Sequence, residues 1–185
     1  KPHPAIPAPL WSRGLGDVYK RQFLNKPEVT EWIAVEPDDK LTPECRSMLE
    51  VMGDRAKVFE GYLHELDEKP GSFDCVILTT LLCSVPDPAE IVREAHKMLK
   101  KGGKLYIIEH MGDSLGLRAA FQVTAKLPWK WTTGCNCRNN PIPALSQPGL
   151  WAEEVKLENA PLRLKRFSLM VELLKPFGMA KLTKV

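Results

Sequence analysis

The strongest constraint on this chain lies at residues 73–110, where strand, turn, helix, double glycine and strand follow one another without interruption. Residues 73–78 read F-D-C-V-I-L, a short apolar run of the buried-strand kind. After Cys83, Ser84 and Val85 comes Pro86-Asp87-Pro88. Asp87 suits a helix cap and Pro88 the first helical turn. Residues 89–99 place Ile91, Ala95, Met98 and Leu99 on one face at helical spacing, with Arg93, Glu94 and Lys97 elsewhere. Lys100-Lys101-Gly102-Gly103 then closes the helix, with cations at its negative end and glycine where the backbone turns left-handed. Residues 104–108 form a second buried strand that delivers Glu109 and His110 to its carboxyl end. Strand, helix and strand joined so tightly predict a parallel βαβ unit. Ligands of such sheets sit beyond the carboxyl ends of the strands, which here means residues 79–84 and 109–111.

The flanking segments extend the same pattern. Residues 31–35 (E-W-I-A-V) predict a strand that ends at Glu36, followed by Pro37, Asp38 and Asp39. A helix begins at Thr42-Pro43-Glu44 and runs to about residue 52, with Leu41, Met48, Leu49 and Met52 apolar. Residues 56–60 are another short strand, leading into G-Y-L-H-E-L at 61–66, and Pro70-Gly71-Ser72 is a turn. Residues 114–126 read as an amphipathic helix. Residues 155–157 and 177–182 read as closing strands, while 162–174 fits helix or strand equally. No internal repeat is visible.

At 185 residues the chain suits one domain, long enough to bury about two-thirds of its unfolded surface. Its net charge of +3 is dispersed, which argues against a nucleic-acid footprint. No apolar run approaches the roughly 20 residues of a membrane span. Five cysteines, an odd number without small-scaffold spacing, read as reduced thiols of an intracellular protein, cytoplasmic or peripheral to a membrane. Cys135-Asn136-Cys137 is too close, and lacks a matching second pair, to be a zinc site, and no metal is expected in this chain.

The string F-D-C-V-I-L, then S-V-P-D-P, then K-M-L-K-K-G-G-K-L-Y-I-I-E-H resembles the central half of class I S-adenosylmethionine-dependent methyltransferases. More narrowly, Leu82-Cys83-Ser84-Val85, Glu109-His110, Gly134-Cys135 and Gly178-Met179-Ala180-Lys181 resemble the small methyltransferase-like group that includes membrane-associated thiol methyltransferases. The resemblance covers roughly residues 31–181. It implies an α/β fold with a Rossmann-like, doubly wound sheet, mostly parallel and closed by an antiparallel carboxyl-terminal strand.

The amino terminus departs from that pattern. Residues 1–10 are proline-rich and cannot carry a strand. Residues 12–22 resemble translated sequencing-adapter read-through. Gly14-Leu15-Gly16 imitates the family's glycine loop, but the preceding A-P-L-W-S-R is no buried strand. The expectation is therefore a non-native leader at 1–22 and a partial methyltransferase domain at 23–185, with the first strand and glycine loop missing.

Methyl transfer from a sulfonium is an in-line displacement that chiefly needs positioning in a dry site. By position and resemblance Glu36 holds the ribose diol of S-adenosylmethionine; the rival reading is a solvated loop acid beside Asp38 and Asp39. Tyr62 stands where the family often carries an acid for the adenine amine, so Tyr62 and Leu63 either flank the adenine or simply pack. Thr79, Leu82, Cys83 and Ser84 line the mouth of the strand at 73–78, the first two toward the cofactor and the last two toward the acceptor. Cys83 as a nucleophile is disfavoured, because methyl transfer needs no covalent intermediate and a buried thiol is usually packing. His110 is the candidate base for the acceptor proton, with a structural histidine as the alternative.

Phe121, Leu127, Trp129 and Trp131 form an aromatic stretch that the resemblance sets over the acceptor pocket, implying a small, apolar acceptor such as a thiol. The alternative is a helix packed on the sheet. Lys126 and Lys130 with these tryptophans also suit a membrane surface. Two other functions compete with methyl transfer. A nicotinamide-dependent oxidoreductase would need a real glycine loop and would lack the closing antiparallel strand; a non-catalytic scaffold or binding remnant would follow from a missing loop. The sequence leaves the oligomeric state open.

Overall fold

The computed structural model describes residues 29–36, 43–112, 116–136, 138–159 and 177–185. The leader reading at 1–22 and the ambiguous stretch at 162–174 lie outside them. The described residues fall in two compact units, divided between Asp67 and Glu68, and each has its own sheet.

In the first unit, β1 (Trp32–Glu36) and β2 (Ala56–Glu60) pair in parallel, from Trp32 opposite Ala56 to Glu36 opposite Glu60. Parallel strands cannot be joined by a tight turn, and the crossover is α1 (Pro43–Met52) with a 3₁₀ turn at Gly53–Arg55. Met52 is buried against Val29, Trp32 and Ala56. Arg55 Nη1 donates to the Val29 carbonyl at 2.9 Å, which fastens the crossover to the start of β1.

The second unit contains β3 (Phe73–Thr79), α2 (Pro88–Met98), β4 (Leu99–His110), α3 (Leu117–Thr133), α4 (Ile142–Leu145), β5 (Glu158–Asn159) and β6 (Phe177–Thr183). Its sheet runs in the order β3-β4-β6-β5, with β3 and β4 parallel and both other pairings antiparallel. The expected βαβ unit and the closing antiparallel strand are thus both present. Asp87 caps α2 as expected, its Oδ1 accepting from the Ala89 and Glu90 N–H groups at 2.9 and 3.1 Å. The helix buries Val92, Ala95 and Met98, three positions apart each time, over a sheet core that includes Leu78, Leu99, Leu105, Ile107 and Leu182. Each such aliphatic side chain contributes about 1.5–3 kcal/mol when it leaves water.

Four expectations are corrected. Ile91 is half-buried and Val92 takes the inward position. The helix stops at Met98, because Leu99 is already extended, buried and paired with Phe73. Lys100-Lys101-Gly102-Gly103 is therefore a bulge in β4, across which the register jumps from Leu99 opposite Phe73 to Lys104 opposite Cys75. Gly102 does adopt the left-handed conformation, at φ +74°, but it serves the strand. A cation far away in sequence also reaches the end of α2: Lys184 Nζ donates to His96 O and to the O of Leu99, which follows the helix, each at 2.8 Å. Third, α3 continues past residue 126 and through Pro128 before Gly134, at φ +73°, ends it by donating to Lys130 O at 2.9 Å. Fourth, the strand beside β6 is Glu158–Asn159 and not 155–157. Among the described residues no helix is long and apolar enough to cross a membrane.

Candidate functional site

The carboxyl ends of β3 and β4 carry the chemistry of the second unit. Thr80 follows β3 with φ +50°, a left-handed backbone rare for a β-branched residue. Three contacts hold it there: its N–H donates to Ile108 O at 2.8 Å, its hydroxyl to Thr79 O at 2.8 Å, and its own carbonyl accepts from the Cys83 thiol at 3.4 Å. The chain thereby turns sharply off β3 and presents the Leu81 and Leu82 N–H groups toward β4. Glu109 Oε1 accepts both, at 2.6 and 2.8 Å. Glu109 is wholly buried, and burial pushes its carboxyl up to about 7 despite these two donors.

One residue further, His110 meets two cysteines. Its Nδ1 lies 3.2 Å from Cys135 Sγ and 3.5 Å from Cys83 Sγ, and the two sulfurs are 3.0 Å apart. The other side of the ring rests on Phe177 of β6, centroids 4.3 Å apart. Cys135 arrives from the far end of α3, immediately after the left-handed Gly134. Asn136 N–H donates to Cys83 O at 2.9 Å and fastens the two cysteine-bearing segments together. All three side chains are buried.

The two thiols are not equivalent. Contact with the Cys83 sulfur, then with His110, pulls Cys135 down to about 5 against the cost of burial. Cys83 is pushed up, first by its bond to Cys135, then by burial and by the nearby Glu109 carboxylate.

The expected site residues distribute unevenly. Cys83, His110 and Trp129 all converge on Cys135, and Ser84 Oγ stands 3.6 Å from Cys83 Sγ. Thr79 closes β3 opposite Ile108. Leu82 is core: its side chain is 1% exposed and its backbone is committed to Glu109. Of the aromatic stretch, Trp129 turns inward with Ala119 and Gln122, whereas Leu127 and Trp131 face solvent with Val123. Glu36, Tyr62 and Leu63 lie together in the first unit, where Gly61 N–H donates to Glu36 O at 3.1 Å. The Tyr62 ring is stacked on His64, centroids 5.7 Å apart, and stays exposed.

Sequence reasoning did not place Cys135 beside His110 and Cys83, nor Glu109 against the loop after β3. The sequence offers Cys135 only as part of the Gly134-Cys135 resemblance and as a neighbour of Cys137, which lies outside the described residues, while its partners stand 25 and 52 positions away. The one available signal was the pair Glu109-His110 at a strand end, an acid and an imidazole where a buried strand opens onto a ligand.

A family model described as a methyltransferase domain matches residues 14–107. Among curated proteins, the chain is 37% identical over 60 residues to a thiol S-methyltransferase of Rattus norvegicus, spanning 32% of this chain and 25% of that protein. It is 50% identical over 40 residues to a ubiquinone biosynthesis O-methyltransferase of Xanthomonas euvesicatoria, spanning 22% and 17%. These matched stretches span a quarter or less of the curated relatives' lengths. A solved structure of a methyltransferase from Bacillus halodurans superposes with a TM-score of 0.59 at 21% identity, covering 80% of this chain and 64% of that one. The architecture is accordingly the Rossmann-like α/β fold of those proteins.

Proposed function

This chain belongs to the methyltransferase-domain family, and from that premise we propose that it moves a methyl group from S-adenosylmethionine to a small thiol. The observation that carries the acceptor is the buried set of Cys83, His110 and Cys135 at the carboxyl ends of β3 and β4. A thiol must lose its proton before or during attack, and these three side chains are basic or polarisable groups held out of water where an acceptor of such a sheet binds. Ubiquinone-type oxygen acceptors are the rival class.

In this reading His110 is the catalytic residue, Cys83, Ser84 and Trp129 contact the acceptor, and Glu36, Tyr62, Leu63, Thr79 and Leu82 belong to the cofactor side. Glu36 accepts the ribose hydroxyls, while Thr79 and Leu82 support the methyl-donor centre from the end of β3. The protein's share of the chemistry is alignment of the acceptor sulfur with the methyl carbon and exclusion of water. The outward side of α3, with Val123, Leu127 and Trp131 beside Lys126 and Lys130, is the surface suited to peripheral membrane contact.

The test is a turnover comparison of small apolar thiols with phenols of similar size, S-adenosylmethionine being the donor. Thiols are expected to be methylated, and His110→Ala to slow them by roughly 10²–10⁴ with the cofactor dissociation constant unchanged. Methylation of phenols alone, or a His110→Ala variant as fast as the parent, would overturn the reading.

A further inference from the structure

Direct methyl transfer to a thiol asks for one proton acceptor, yet three soft donors converge here. Cys83 Sγ, Cys135 Sγ and His110 Nδ1 come from the β3–α2 loop, the segment after α3 and the end of β4, and their ligand atoms all lie within 4.8 Å of one another. We propose that this Cys₂His cluster binds one zinc ion through three protein ligands and leaves the fourth position for the acceptor's thiolate. The role of that open position rests on the thiol reading above; the binding of the ion does not.

The geometry suits the ion. Tetrahedral zinc, with Zn–S about 2.3 Å and Zn–N about 2.0–2.1 Å, sets its sulfur and nitrogen donors roughly 3.5–3.8 Å apart. The two sulfur–nitrogen separations, 3.2 and 3.5 Å, are near that value, and the sulfur–sulfur separation of 3.0 Å must open by less than an ångström. The outer supports of a built site are also present. Glu109 fixes the loop before Cys83 through the Leu81 and Leu82 N–H groups, and Asn136 N–H holds the Cys83 carbonyl.

The ligand count assigns the kind of site. Structural zinc closes with four protein ligands, whereas catalytic zinc keeps three and an open position. Among the described residues the cluster contains three. Two thiolates and a neutral imidazole cancel the 2+ charge of the ion. A bound acceptor thiolate then makes the assembly anionic, which favours approach of the cationic sulfonium.

The step balances. The acceptor S–H gives its proton to solvent as its sulfur binds zinc. That sulfur's lone pair forms the new S–C bond to the methyl carbon while the C–S⁺ bond breaks, and the electron pair stays on the cofactor sulfur. The products are neutral S-adenosylhomocysteine and a neutral thioether, a weak ligand that leaves. With the ion bound, His110 and Cys83 act as ligands beside Cys135, and coordination of the acceptor sulfur takes over the removal of its proton.

The experiment uses the whole chain, reduced, stripped with a chelator, and titrated first with Zn²⁺ against a chromophoric competitor and then with Co²⁺. One equivalent of zinc is expected, and Co²⁺ should give thiolate-to-metal charge-transfer bands with the intense visible absorption of a tetrahedral site. Cys83→Ser and Cys135→Ser should lose those bands, while Cys75→Ser, at an exposed cysteine of β3, should keep them. Circular dichroism of each variant and of the stripped parent separates loss of ligand from loss of fold. Adding a small thiol should shift the charge-transfer bands, and adding a phenol should not. Absence of stoichiometric uptake by the folded parent, or its isolation as a Cys83–Cys135 disulfide that never takes metal, would overturn the proposal. A chain that methylates thiols with no metal bound would overturn the metal's role and spare the thiol reading. Metal uptake with a thiol-shifted spectrum but methylation of phenols alone would sink the thiol reading and leave the ion site standing.

Discussion

Glu109 Oε1 sits 2.8 Å from the Leu82 N–H, so a carboxylate at the end of β4 fixes the backbone at the end of β3. It holds the Leu81 N–H at 2.6 Å as well, and together these bonds define the loop from which Cys83 projects. Glu109 thus bears on the Cys83 loop through its backbone.

Replacing it tests that role. Glu109→Ala strands two N–H donors, one of them wholly inside the protein, at about 1–3 kcal/mol for each donor left unpaired. Glu109→Gln keeps an oxygen in place and should cost less. Urea unfolding should rank the parent above Glu109→Gln and Glu109→Ala lowest. An alanine variant as stable as the parent would show that water satisfies the loop unaided.

Glu36 ends β1, held beside the end of β2 by Gly61. If its carboxylate accepts both ribose hydroxyls, Glu36→Ala should weaken S-adenosylmethionine binding by about 2–3 kcal/mol, the scale of lost charge-assisted hydrogen bonds. The circular dichroism spectrum should not change, because the position lies at a strand end. Calorimetry returning the parent's dissociation constant would reassign Glu36 to a solvated loop.

Burial, and then the charge of Lys184, hold His96 below its ordinary value of 6.5. Its Nε2 lies 3.1 Å from Leu150 O, and its ring stands edge-on to Trp151, centroids 5.2 Å apart. The folded state therefore favours the neutral ring. That stabilisation is present above about pH 6.5 and is lost as the pH falls through the lowered folded value. The ring is only partly buried, which keeps the effect small. The urea midpoint should decline on acidification below this range, and His96→Gln should flatten that part of the profile. Parallel profiles for the two proteins would remove His96 from the acid response.

Local signals revealed the parts of the fold that local physics decides. Asp87 and Pro88 mark the start of α2, since a cap and a preset φ act within one turn. The strands at 73–79 and 104–108 are visible as apolar runs bounded by turn residues. The end of α2 was misplaced because burying Leu99 in the sheet overrides the basic and glycine residues that follow it. The site was legible in part: His110 and Cys83 could be set at strand ends from the βαβ pattern alone. Cys135 could not, because its neighbourhood is created by α3 running on through Pro128 and returning at Gly134. No spacing within one segment records that return.

The position of β6 bears on how the chain becomes a protein. It lies between β4 and β5, so the edge of β4 that ends in Glu109 and His110 stays unpaired until a strand much later in sequence arrives antiparallel to it. During synthesis that edge is an exposed row of backbone donors and acceptors flanked by Leu105 and Ile107, open to pairing with other nascent chains. Closure is a late, long-range event of the slow kind. Phe177, the residue that meets the His110 ring, arrives with that same strand, so the surroundings of His110 are completed only when β6 pairs with β4.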